Sequence, residues 1–186
     1  MFHQIAEQPW PSFSYKPHVL FSIAHTGDHI IVNFQVEENE VRHVNTAINS
    51  PVWEDSCVEF FLALDDTGYY NFEVNCIGTI LVGFGKDRND RKLLPVAVIK
   101  QIQCFTAMQQ KEQSIQWQLQ AIIPVGVFIY SNVFNLEGKK CSANFYKCGD
   151  LLSQPHFLSW KKIETEEPDF HQPAFFGAVE FEAKLV

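Results

Sequence analysis

Glu59, Asn71, Glu73 and Asn75 are the side chains of this 186-residue sequence whose types and spacing could do chemistry together. They alternate with apolar residues in two neighbouring runs, 58–64 and 70–76, so both runs read as strands and the polar set shares one face. Partners on one face of a strand pair lie only about 5 Å apart at Cβ. A carboxylate accepts hydrogen bonds and an amide both donates and accepts, a combination suited to a ligand rich in hydroxyls. The same pattern also describes an antiparallel sheet that turns its outer face to water, and both readings stand at this point. Trp53 and Trp160 sit in polar, loop-like surroundings, unlike Trp117, which lies in an alternating run. A loop tryptophan either offers a flat face to a ligand or plugs the end of a sandwich.

Sharper chemistries find less support. A glycoside hydrolase needs two carboxyl groups at a set separation, for which Glu59 and Glu73 are the candidates, but a sheet face in water provides no dry pocket to raise either pKa. His25 and His29 have the spacing of a helical zinc chelate, yet Gly27 places them across a turn. The five cysteines, Cys57, Cys76, Cys104, Cys141 and Cys148, are odd in number and lack a C-x-x-C pair, which reads as free thiols used as small apolar side chains. Cys141, Cys148 and His156 are too irregularly spaced for a zinc site, and no cue places a low-pKa cysteine beside a base. A sandwich domain that binds haem or a protein partner is a further class. No Met/His axial pair stands out for haem, and an interaction domain would show an exposed apolar patch and a stable oligomer.

The elements that must position these groups are strands. Runs 21–25 and 30–36 flank Thr26-Gly27-Asp28-His29 and read as a hairpin. In the next hairpin, placing all apolar residues on the core face sets Phe60 opposite Val74, Leu62 opposite Phe72 and Leu64 opposite Tyr70. Glu59 then faces Asn75, and Glu59 and Glu73 become diagonal neighbours about 7–8 Å apart at Cβ. Further strands are expected at 95–99, 114–123, 142–146 and 177–181, with a short helical turn at 124–128 and long loops at 37–57 and 147–176. The charge cluster 86–92 reads as a solvated loop. Seventeen Phe in a chain that is 46% hydrophobic and 19% charged fit a β-rich core. With no internal repeat or linker, the expectation is a single domain over 1–186, an all-β antiparallel β-sandwich of immunoglobulin-like or jelly-roll-like kind.

Fourteen basic against 22 acidic residues give a formal net charge of −8, which opposes binding to a nucleic-acid backbone. No run approaches the roughly 18 apolar residues of a spanning helix, so a membrane is not an expected partner. Residues 1–11 show neither a basic nor an apolar signal region, which leads to the expectation of a cytoplasmic protein, or an extracellular or periplasmic one if the N-terminus was trimmed.

Four ordered blocks carry a resemblance. They are Val52-Trp53-Glu54-Asp55-Ser56-Cys57-Val58-Glu59-Phe60-Phe61, Tyr70-Asn71-Phe72-Glu73-Val74-Asn75-Cys76-Ile77-Gly78, Ser142-Ala143-Asn144-Phe145-Tyr146-Lys147, and Ser159-Trp160 with Pro168-Asp169-Phe170-His171-Gln172-Pro173 and Phe176-Gly177. Together they resemble the family 9 carbohydrate-binding modules and their bacterial relatives, a β-sandwich of the CBM9/DOMON kind. The resemblance implies non-catalytic binding of a mono- or oligosaccharide, held between two tryptophans and often at a chain's reducing end. Carried over by motif, Trp53 and Trp160 become the clamp and Glu59 the acidic partner, with Asn75 and Asn144 as amide partners; Glu73 joins them on the strand register. The physics agrees with that division, since the C–H face of a pyranose stacks on indole while its hydroxyls need paired donors and acceptors. Family members commonly carry structural calcium. Asp65-Asp66 beside Gly68 is the nearest acidic pair, and a hairpin loop explains it equally well.

Overall fold

A computed structural model describes residues 1–183, so the last three residues of the expected 1–186 domain lie outside the described residues. Among the described residues, twelve strands form two antiparallel sheets: β1 His3–Gln4, β2 His18–His25, β3 His29–Glu38, β4 Cys57–Asp65, β5 Gly68–Asn75, β6 Ile80–Gly85, β7 Lys92–Leu93, β8 Gln103–Gln110, β9 Ile115–Pro124, β10 Lys140–Cys148, β11 Phe157–Ser159 and β12 Gly177–Glu180. One sheet runs β1-β2-β3-β9-β8 and the other β11-β10-β4-β5-β6-β7, with β12 also paired to β10. The architecture is the expected antiparallel β-sandwich. No helix among the described residues is long and apolar enough to cross a membrane.

The core lies where the two inner faces meet. Phe21 of β2 stacks on Phe145 of β10 with ring centroids 3.8 Å apart, and Phe145 stacks in turn on Phe60 of β4 at 4.9 Å. Val32, Phe34, Trp117 and Leu119 fill the layer from the opposite sheet. The outer sides of the two sheets differ. Residues of β3 and β9 alternate between buried and more exposed, as one solvated face requires, whereas every residue of β6 and all but the first of β5 are buried. The reason is a second apolar cluster laid over the outer face of the larger sheet. Trp10, Val52, Phe61, Tyr69, Tyr146 and Phe170 form it, and the long segments before β4 and after β10 supply much of it.

Three local expectations are corrected. The β4–β5 register pairs Phe60 with Phe72, Leu62 with Tyr70 and Glu59 with Glu73, two residues from the expected pairing. The chain closes at Asp65 opposite Gly68, a tighter turn that displaces the register by one, and a bulge between Leu62 and Asp65 displaces it by one more. A single step would have exchanged the faces; two restore the apolar residues to the core. The run 95–99 is not a strand, because Val96–Ile99 forms one helical turn that buries Ile99. Strands β6 and β8 were not anticipated: β6 is apolar on both faces and β8 is an exposed edge strand, so neither alternates cleanly.

Candidate functional site

The outer face of β4, β5 and β10 is not a water-facing surface. Glu59 and Glu73 are each only 4% exposed and stand directly opposite one another, and Asn71 is buried beside them. The segments that carry the second apolar cluster close over this face but leave a cavity of about 370 Å³, lined among others by Trp53, Glu59, Asn71, Glu73, Arg91 and His171. That volume falls in the lower part of the range for small-molecule pockets, roughly 300–1,000 Å³. The expectation of a sheet too wet to shift a carboxyl group is therefore corrected. The overlying loops bury the two carboxyl groups.

A chain of polar contacts runs along the sheet side of the cavity. Arg91 donates to Asn71 Oδ1 and to the Tyr69 carbonyl at 3.2 Å, and Asn71 Nδ2 donates to Glu73 Oε1 at 2.7 Å. Gly83, opposite Asn71 on β6, makes room for this chain, since a Cβ there would come within 2.7 Å of Asn71 Oδ1. The Arg91 guanidinium lies 4.3 Å above the Tyr69 ring, and the Tyr69 hydroxyl is 2.9 Å from His171 Nδ1. Three buried atoms of this network have no hydrogen-bond partner among the described residues: Glu73 Oε2, Arg91 Nε and Arg91 Nη1.

Burial and proximity set the charges. Burial raises the Glu59 carboxyl well above its usual range and the facing Glu73 raises it further, with a partial offset from the Cys148 thiol 3.1 Å from Glu59 Oε1. Burial likewise lifts Glu73 to about 7 against the pull of Asn71 and Arg91. Asp150, also at the cavity, is raised to about 6 by burial. Burial and the nearby Arg91 lower His171 to about 4, which leaves the imidazole neutral near pH 7. The acidic pair thus holds a proton more readily than ordinary carboxyl groups, and a protonated member can donate as well as accept.

Of the residues singled out in the sequence, the cavity brings together Trp53, Glu59, Asn71 and Glu73. Trp53 sits in a single 3₁₀ turn, Val52–Glu54, whose Val52 is buried while Trp53 itself remains 39% exposed. Trp160 does not line the cavity. It packs edge-on against Phe21 and Phe145 on the inner side of the sheet, with Lys161 Nζ 4.1 Å from its ring. The amide of Asn75 is occupied by the Asn45 carbonyl, Asp55 Oδ2 and the backbone N–H groups of Ile77 and Thr79. Asn144 ties β10 to the chain after β11 through both backbone groups of Lys161. Neither of these asparagines lines the cavity.

Sequence reasoning missed Arg88 and Arg91, hidden in a charge cluster read as solvated, as well as Cys148 and Asp150. Asp169, Phe170 and His171 were visible only as members of a recognised block. Arg91 carried a faint cue, since the apolar pair Leu93-Leu94 follows it closely and marks the point where the loop returns to the sheet. At the acidic pair beside Gly68, the Asp65 carboxylate accepts from the Thr67 N–H and hydroxyl and so closes the turn.

The family described as carbohydrate-binding family 9 matches residues 1–181. A candidate carbohydrate-binding protein from Bacteroides uniformis is 41% identical over 98% of this chain and 86% of its own, with a TM-score of 0.93. Family 9 modules from Caldicellulosiruptor kristjanssonii, solved with glucose and with cellotriose, superpose with a TM-score of 0.62 at 12% and 11% identity. They cover 98% of this chain and 85% and 84% of theirs, a likeness of fold. No curated protein matches the sequence significantly.

Proposed function

The chain belongs to carbohydrate-binding family 9, and from that premise we propose that its cavity binds a terminal ring of a mono- or oligosaccharide without altering it. The observation that carries this reading is the set of buried, unpartnered polar atoms, Glu73 Oε2 with Arg91 Nε and Nη1, on a cavity whose rim holds a half-exposed indole. A desolvated donor or acceptor without a partner destabilises the empty protein by about 1–3 kcal/mol, and a hydroxyl-rich ligand relieves that penalty. Trp53 supplies the stacking face, while Glu59 and Glu73 engage hydroxyls. Trp160 and Asn144 hold the fold around the site, and Asn75 anchors the loop before β4.

The raised carboxyl pair gives a catalytic reading one point in its favour. Glycoside hydrolases, however, flank the scissile bond with their two carboxyl groups. Glu59 and Glu73 instead spring from adjacent strands on one face and reach the ligand from the same side, which suits recognition of neighbouring hydroxyls.

Titration calorimetry with glucose, cellotriose and reducing-end-blocked cellotriose, with and without calcium, tests the proposal. Saturable binding that weakens about tenfold in Trp53→Ala and Glu73→Gln is expected. A well-folded wild-type protein silent toward all three sugars would sink it. Turnover of a chromogenic glycoside that disappears in Glu59→Gln would favour the catalytic reading instead.

A further inference from the structure

Cys57 of β4 and Cys148 of β10 stand directly opposite each other, and Glu59 lies two residues along β4 on the same face. The two Sγ atoms and a Glu59 carboxylate oxygen consequently fall within 4.8 Å of one another, with Cys148 Sγ 3.1 Å from Glu59 Oε1. All three residues are buried, yet Glu59 and Cys148 also line the cavity. We propose that Cys57, Cys148 and Glu59 form a three-ligand site for a thiophilic divalent cation of the zinc class, with its fourth coordination position open to the cavity.

Tetrahedral zinc with bonds of about 2.3 Å to sulfur and about 2.1 Å to oxygen sets its ligand atoms about 3.8 Å apart for S–S and about 3.6 Å for S–O. The present spacings reach that arrangement by shifts of order 1 Å, within side-chain freedom on two rigid strands. Two thiolates select a soft or borderline ion over calcium or magnesium, which take oxygen ligands. Both thiol protons, and the proton of a protonated Glu59 carboxyl, leave to solvent as the Zn–S and Zn–O bonds form. Charge points the same way. Glu73 faces Glu59 across the strands with one buried oxygen unpartnered, so a divalent cation beside Glu59 places positive charge where two buried carboxyl groups meet. Three protein ligands and one open position are also the arrangement of zinc sites that bind a water or a substrate oxygen.

The site shares Glu59 with the sugar reading but does not depend on it, so the two are tested separately. Reduced, metal-free protein is titrated with Co²⁺ in the absence of sugar. A thiolate-to-cobalt charge-transfer band with tetrahedral d–d absorption is expected, saturating at one equivalent and displaced by one equivalent of Zn²⁺. Cys57→Ser and Cys148→Ser, each checked for folding by circular dichroism, should weaken cobalt binding about a hundredfold or more. Glu59→Gln should keep the thiolate band and weaken binding about tenfold. If a serine variant fails to fold, protection of the wild-type Cys148 thiol by Zn²⁺ against a small alkylating reagent, read by mass spectrometry, replaces it. Folded wild-type protein without a thiolate band, or with a band that survives both serine substitutions, overturns the site. Sugar titrations in chelator follow independently: sugar binding without a cobalt band removes the metal proposal alone, and a cobalt band without sugar binding removes the sugar reading alone.

Discussion

Asp55 and Glu59 lie four residues apart, both with almost no exposure, yet their carboxyl groups shift in opposite directions. Burial alone would raise Asp55. Hydrogen bonds from Asn75 Nδ2 at 2.9 Å and from the N–H groups of Asn45 and Val44 at 2.9 and 3.1 Å, together with Arg42, outweigh it and hold the carboxyl below its usual value. Glu59 has a thiol on one side and another acid opposite, so burial prevails. A third buried carboxylate, Glu38, is answered by Lys147 Nζ at 2.9 Å and the Trp117 indole N–H at 2.6 Å, inside the sandwich. Burial therefore does not identify a functional acid. The partners do: Asp55 and Glu38 are committed to holding segments together, whereas Glu59 and Glu73 retain bonding capacity for something in the cavity.

The sharpest way to break this contrast is to remove each acid in turn and follow unfolding in urea at pH 7.5. Asp55→Ala leaves the Arg42 guanidinium and three N–H donors without an acceptor, and is expected to lose about 3 kcal/mol of stability. Glu59→Gln removes a desolvated acid beside another and is expected to stay within about 1 kcal/mol of wild type, on either side. Equal losses in the two variants would erase the distinction between anchor and site.

The two tryptophans extend the comparison at a smaller scale. Trp160 packs on Phe21 and Phe145, so Trp160→Ala should lose about 2 kcal/mol of stability while sugar affinity changes less than about twofold. Trp53→Ala should do the reverse, weakening sugar binding by about 1–2 kcal/mol with stability altered by no more than about 0.5 kcal/mol. Loss of sugar binding in a folded Trp160→Ala protein would restore the two-tryptophan clamp implied by the family resemblance.

The sandwich was legible because its inner faces obey period two: Phe60, Leu62, Phe72 and Val74 point inward whichever even register is chosen. The pairing itself was not legible, since the tight turn and the bulge each shift it by one and leave the apolar pattern unchanged. At the site, Glu59, Glu73 and Trp53 could be found because they interrupt or flank that pattern. Their burial could not, because it comes from Trp10, Phe157 and Phe170, residues distant in sequence that fold over the outer face. Arg91 and His171 reach the cavity from separate loops, and no local spacing records that meeting.

The finest test of the comparison is the pH dependence of stability in metal-free buffer with chelator. Glu73 titrates near 7 in the folded protein against a usual 4.5, so between these values the folded state holds a proton that the unfolded chain releases. Its contribution is fully present below pH 4.5 and is lost as pH rises to about 7. Asp55, shifted downward, contributes stability that is present above its usual 3.8 and lost as pH falls through its lower folded value, outside that window. His171 and His156, lowered from 6.5 to about 4 and about 3, add slopes of the opposite sign, and Asp150, raised to about 6, adds one of the same sign, so the raw profile mixes them all. The difference between wild type and Glu73→Gln isolates the acidic pair. Wild type should lose about 1 kcal/mol relative to the variant between pH 5 and 7.5, since coupling to Glu59 spreads the titration. A difference that stays flat would mean that Glu73 is ionised throughout, with a cationic partner already satisfying it, and the pair would then belong with Asp55 and Glu38 among the anchors.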